Sequence, residues 1–109
     1  MILKFEEMET ACMEHFKGGE KAVRAEMYAD DRNRIMRGRL EPGASIGLHT
    51  HETNSEIIYL LEGEGTVLYD GAHETLRAGE CHYCPKGHTH SLMNRSQSDV
   101  VFFAVVPNQ

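Results

Sequence analysis

The sequence predicts an all-β domain, a sandwich or a barrel. Glycine and proline recur at short intervals from Gly38 onward: Pro42-Gly43, Gly47, Gly63, Gly65, Asp70-Gly71, Gly79, Pro85 and Gly87. Short apolar or alternating runs lie between them, and nothing alternates strand with helix as a parallel sheet would require. Asp70-Gly71, between Val67-Leu68-Tyr69 and His73-Glu74, is a two-residue hairpin signal, because both turn positions favour positive φ.

Near the start, Met8, Cys12 and Phe16 recur at helical spacing ahead of Gly18-Gly19, which predicts a short helix with a glycine stop. Ala22 to Tyr28 sets Val23, Ala25 and Met27 against Arg24 and Glu26, the pattern of a strand with one wet face. Further strands are predicted near 32–41, 45–51, 56–62, 65–69, 73–77, 80–84, 89–94 and 99–106. The division this implies is an N-terminal extension over residues 1–34, packed on the barrel or on a dimer partner, and a barrel domain over 35–109.

Two strands, Ile57-Ile58-Tyr59-Leu60-Leu61 and Val100 to Val106, are apolar on both faces. A single barrel has one dry interior, so their outward set needs a cover. A second subunit is favoured over the N-terminal segment, which is too short to hide both strands, and a homodimer is expected. The alternative is that both strands are central to two packed sheets.

The 109 residues, 40% apolar and 26% charged, make one domain with one core. A net charge of −6 argues against nucleic acid or an anionic membrane as partner. Met1-Ile2-Leu3-Lys4-Phe5-Glu6-Glu7 turns acidic too early for a signal peptide, and no apolar run approaches the roughly 18 residues of a membrane span. Three cysteines are too few for a disulfide framework, so a cytoplasmic location is expected.

The chemistry-bearing residues form two spaced sets. His49 and His51 are two apart, so on a strand both imidazoles leave one face while Thr50 points away. Glu56 follows a polar turn, Glu52-Thr53-Asn54-Ser55, that can return its carboxylate beside them; His90 enters a strand after Pro85-Lys86-Gly87. Three imidazoles and a carboxylate converging in a barrel suit one divalent first-row transition metal, iron, manganese, nickel or zinc. Four protein ligands on an octahedral ion leave two positions for substrate, water or dioxygen.

Residues 43–63 read G-x5-H-x-H-x4-E-x6-G, and residues 79–94 read G-x5-P-x-G-x2-H-x3-N. Both resemble the signature motifs of the cupin superfamily, matching at every fixed position, and the short stretch between them resembles small single-domain members of the conserved-barrel type. The resemblance implies a double-stranded β-helix, or jelly-roll, barrel with His49, His51, Glu56 and His90 as metal ligands. Gly43, Gly63, Gly79, Pro85 and Gly87 then read as turn residues, and Asn94 as a structural hydrogen-bonder.

Met36, Gly38, Ile58, Leu60 and, at the rim, His88 are the expected substrate-pocket residues; no catalytic residue is assigned. His82 has no predictable facing, and His15 and His73 are expected in solvent. Cys81-His82-Tyr83-Cys84 has C-x-x-C spacing, but on a strand the sulfurs leave opposite faces, and no redox or zinc role is read from it. Arg32, Arg34, Arg37 and Arg39 are read as a solvated face paired with Asp30, Asp31 and Glu41; one of them gripping an anionic substrate is the alternative. Alternation back from Leu40 puts Gly38 and Met36 inside and Arg37 and Arg39 outside, with Gly38 leaving room for a ligand.

The expected function is that of a metal-dependent enzyme acting on a small polar or anionic metabolite, with dioxygenase ranked first. Isomerase, decarboxylase and lyase chemistry remain open on this fold. The competing class is a non-catalytic module that binds a small molecule.

Overall fold

The computed structural model describes residues 1–109. Ten strands follow in order: β1 (Ala11–Glu14), β2 (Ala22–Ala29), β3 (Asn33–Leu40), β4 (Ser45–Thr50), β5 (Glu56–Glu62), β6 (Glu64–Tyr69), β7 (Ala72–Arg77), β8 (Cys81–Cys84), β9 (Thr89–Met93) and β10 (Val100–Pro107). They form two antiparallel sheets, β1-β2-β3-β10-β5-β8 and β4-β9-β6-β7. The core between the sheets holds Leu40, Ile58, Leu60, Val67, Leu92 and Phe102, all buried; each contributes about 1.5–3 kcal/mol through burial. Asp70 (φ 47°) and Gly71 (φ 86°) make the expected turn between β6 and β7.

The predicted helix around Met8 to Phe16 does not form. Residues Phe5–Glu7 and Phe16–Gly18 are single 3-10 turns, and between them β1 pairs with β2. Pairing with a ready sheet edge overrides a weak local periodicity. Residues 11–29 thus extend the six-stranded sheet, and the first turn lays Phe5 edge-on against Phe103, centroids 6.2 Å apart. Glu26, expected on the wet face of β2, is buried instead, because Thr10 Oγ1 (2.6 Å) and the Arg37 guanidinium (3.1 Å) cover its carboxylate.

On β3, Met36, Gly38 and Leu40 face inward as alternation requires. Gly38 offers no room for a ligand. It lies opposite Phe102 on β10, and a Cβ there would meet the Phe102 ring at 2.3 Å. The cross-strand ring fills the space the missing side chain leaves.

β4 contains a bulge. Ile46 pairs with Leu92 and His49 with His90, so three steps along β4 match two along β9. Unbroken alternation from Ile46 would turn His49 outward; the extra residue at Gly47-Leu48 turns His49 in and leaves Leu48 exposed at 57%.

The outer faces of β5 and β8 are apolar and open: Ile57, Tyr59, Leu61 and Tyr83 are between 39% and 52% exposed. No helix is long and apolar enough to cross a membrane.

Candidate metal centre

β4 supplies His49 and, just past its end, His51; β5 opens with Glu56; β9 contributes His90. The three Nε2 atoms form a near-equilateral triangle: His49 to His51 3.1 Å, His51 to His90 2.9 Å and His90 to His49 3.2 Å. Glu56 Oε1 lies 3.2 Å from His51 Nε2, 3.0 Å from His90 Nε2 and 3.9 Å from His49 Nε2. His51, Glu56 and His90 are buried, and His49 is 16% exposed.

These residues fit a cation. His49 Nδ1–H donates to the Gly47 carbonyl at 2.7 Å, and His51 Nδ1–H donates to Asn54 Oδ1 at 2.5 Å. In both rings Nε2 therefore carries its lone pair inward, and the two lone pairs face each other, which is unfavourable unless a positive charge lies between them. Bonds of about 2.1 Å at right angles would set neighbouring donors about 3.0 Å apart, and tetrahedral bonds about 3.4 Å. The observed triangle matches the right-angled case. Glu56 Oε1 is nearer to His51 and His90 than to His49, so the four donors would hold an ion and leave part of its coordination to a ligand.

The third imidazole of the cluster is held differently. His90 Nδ1 lies 2.9 Å from Nε2 of buried His82, which projects inward from β8. Burial pushes the His82 imidazole down to about 4, with the neighbouring His90 adding to the effect, so His82 is neutral at physiological pH. Burial opposes ionisation of Glu56, but the three imidazoles around it hold its carboxyl well below the usual range. The same Glu56 raises His51 against the effect of burial, whereas burial dominates at His90 and lowers it.

A cavity of about 270 Å³ opens over His49, His51 and Glu56. Met36, Ile46 and Val106 form its apolar wall, and Phe16 and Lys17 reach it from the second 3-10 turn; Arg34, Thr50, Glu52, Thr53 and Asn54 complete the polar side. Of the residues expected in the pocket, Met36 lines this cavity. Gly38 lies beneath Phe102, Ile58 and Leu60 are wholly buried in the core, and His88 lies outside, with Nδ1 2.6 Å from Asp70 Oδ2 and 3.1 Å from the Tyr69 hydroxyl. His15 and His73 are exposed. Asn94 Nδ2 donates to the Leu40 and Ser98 carbonyls, a loop-fastening role. Cys81 is exposed and Cys84 buried on opposite faces of β8, and burial pushes the Cys84 thiol up to about 11.

Phe16, Lys17, Asn54 and His82 were not singled out as site residues in the sequence, and Arg34 was one of four arginines among which the alternative reading placed a grip on an anionic substrate. Arg34 carried a readable signal, since it continues the inward series Leu40, Gly38, Met36. Among the other arginines, Arg37 pairs with Glu26, and Arg24 on β2, instead of β3, pairs with Glu41 at 3.8 Å. Asp30 accepts from the backbone of Arg32 and Asn33.

Residues 36–106 match the family described as Cupin domain. The chain belongs to the cupin family. Over 97% of its length this cupin is 30% identical to a protein of Thermotoga maritima named Oxalate-binding protein, covering 93% of that relative. A crystal structure from the same bacterium, described as a predicted oxalate decarboxylase, is also 30% identical, with a TM-score of 0.93 and full coverage of both chains. A Cupin 2 conserved barrel domain protein from Salinispora arenicola has a TM-score of 0.78 at 21% identity, covering 99% of this cupin and 88% of that chain, which shows the fold alone. The all-β jelly-roll implied by the two motifs is thus the fold of this cupin, and its histidine–glutamate cluster is a possible metal site.

Proposed function

We propose that the protein is a metal-dependent enzyme that binds a small carboxylate anion at His49, His51, Glu56 and His90 and cleaves the bond to that carboxylate. The supporting observation is the spacing of the four donors, near that of right-angled bonds, which would leave a bound ion room for two further ligand atoms, the pair a carboxylate or a two-oxygen chelate provides. The spacing also favours iron, manganese or nickel over tetrahedral zinc. A divalent ion held there would supply Lewis-acid polarisation of a bound carboxylate oxygen, and oxygen activation as well were it iron. Met36, Ile46 and Val106 keep one wall of the cavity dry, and Thr53 offers a hydroxyl to substrate oxygens.

Decarboxylation ranks ahead of dioxygenase, isomerase and lyase chemistry because the relatives 30% identical to the chain are described by oxalate binding and oxalate decarboxylation. A second reading, a non-catalytic carboxylate-binding module, is favoured by one observation. The ionisable side chains lining the cavity beyond His49, His51 and Glu56 are Lys17, Arg34 and Glu52, all exposed, with no buried general acid or base among them.

Elemental mass spectrometry on protein purified without chelator, followed by oxalate calorimetry on the metal-loaded form, tests the site. Near-stoichiometric metal and oxalate binding are expected, with His51→Ala and His90→Ala each losing most of the metal while keeping the β-sheet circular dichroism. Full occupancy in either variant would remove the ligand assignment, and bound oxalate without turnover in air or under argon would leave the binding module.

A homodimer paired through the open apolar face of β5 and β8, with a cytoplasmic location suited to three free thiols, completes the proposal.

A further inference from the structure

The cavity joins two unlike regions. Its floor is His49, His51 and Glu56 of the donor cluster, and its mouth carries two cations from segments far apart in sequence, Lys17 and Arg34. Arginines 24, 37 and 77 find carboxylates on the protein, but Arg34 and Lys17 make no ion pair and no side-chain hydrogen bond. Lys17 has only the ring of Phe16, its Nζ 5.7 Å from the centroid. The mouth also holds the exposed Glu52, which pairs with neither cation. With Glu56 committed to the donor cluster, the mouth carries two positive groups against one negative.

The position of Lys17 is built in by the backbone. Its φ of 56° is left-handed, and the turn that carries it lies so close on β4 that a Cβ at Gly47 would come 2.0 Å from the Lys17 carbonyl oxygen. The same Gly47 carbonyl orients His49. One close approach therefore seats both a ligand ring and a cation at the mouth. Arg34 is placed as firmly, by the alternation of β3, on the inward face shared with Met36.

Resting on the carboxylate reading above, we propose that Lys17 and Arg34 form a subsite for a second anionic group. The ligand is then a small acid with one oxygen-rich end over the four donors and a carboxylate or phosphate at its far end. Oxalate is too short to use both regions: its two carboxylates share a single C–C bond, and chelation at the floor consumes both. An acid a few atoms longer, with a 2-hydroxy or 2-oxo head, spans floor and mouth. Guanidinium and ammonium donors are suited to the distal anion.

Calorimetry on the manganese-loaded full chain tests this with four probes: oxalate, malate, 3-phosphoglycerate and 2-hydroxy-4-methylpentanoate. The last matches malate in shape but ends in an isopropyl group where malate carries a carboxylate. Wild-type protein is expected to bind malate or 3-phosphoglycerate about tenfold or more tighter than the neutral-tailed acid, the effect of one charge-assisted contact. Whichever charged acid leads identifies the distal group. In the Lys17→Gln/Arg34→Gln double variant the ratio should fall to about one. Equal binding of charged and neutral-tailed acids by wild type, or a ratio that survives the double substitution, overturns the subsite. Oxalate separates the two levels: if it binds while the preference is absent, only the mouth subsite falls, and if it fails to bind, the carboxylate reading falls with it.

Discussion

His82 Nε2 lies 2.9 Å from His90 Nδ1, so one of the three clustered imidazoles is oriented by a further imidazole where the other two are oriented by oxygen atoms. A ring that ligates through Nε2 carries its proton on Nδ1, and neutral His82 is the acceptor that keeps it there. His82→Phe should weaken metal binding by about 10–100-fold, whereas His82→Gln, whose amide oxygen can accept the same proton, should restore much of it. Competition with a chelator measures both. Equal affinity in wild type and His82→Phe would show that the contact has no hold on His90.

Metal binding should strengthen as pH rises through and beyond 6.5. Glu56 raises His51 above the ordinary histidine value of 6.5, so a proton competes with the metal at His51 to a higher pH than at a free imidazole. Apparent affinity measured across neutral pH, with proton release in buffers of different ionisation enthalpy, checks this. A flat profile would mean that His51 does not bind the ion.

Glu26 should make folding sensitive to acid. Thr10 foremost, then Arg37, hold its carboxyl below the ordinary 4.5 against the opposing effect of burial. A depressed carboxylate stabilises the fold fully above that value, and the contribution is lost as pH falls through the folded-state value. Glu26→Gln should cost about 1–3 kcal/mol at neutral pH, with the gap to wild type closing as the solution is acidified below 4.5. Urea melts at the two pH values report it; a gap that widens in acid would contradict the assignment.

The apolar outer face of β5 and β8 should govern assembly. Light scattering after gel filtration should give twice the 12.3 kDa chain mass, and Tyr59→Glu, placed in the middle of that face, should return single chains. A wild-type protein that runs as one chain at micromolar concentration would remove the homodimer.

The strands and the convergence of His49, His51, Glu56 and His90 were legible because they depend on local signals: turn residues, a period of two, and fixed spacings along a strand or across one tight turn. Asp70-Gly71 announced its hairpin for the same reason. The region His15 to Gly19 was not legible, since its course depends on how closely it lies on β4 at Gly47. Met8, Cys12 and Phe16 imitate a helix because a four-residue recurrence arises as readily in a strand flanked by two turns. Gly38 looked like open space because a sequence does not reveal that Phe102 stands opposite. Arg34 needed only two more steps of an alternation already in hand.

The bulge at Gly47-Leu48 gives β4 a phase error relative to β9. Deleting Gly47 would repair the pairing and leave two steps between Ile46 and His49, so His49 would stay on the inner face opposite His90. It would remove the Gly47 carbonyl that accepts from His49 Nδ1 and the bare Cα on which the Lys17 turn lies. The irregular step in the sheet thus supplies the hydrogen bond that aims one donor ring, and a single-codon deletion here would keep the imidazole and free it to swivel.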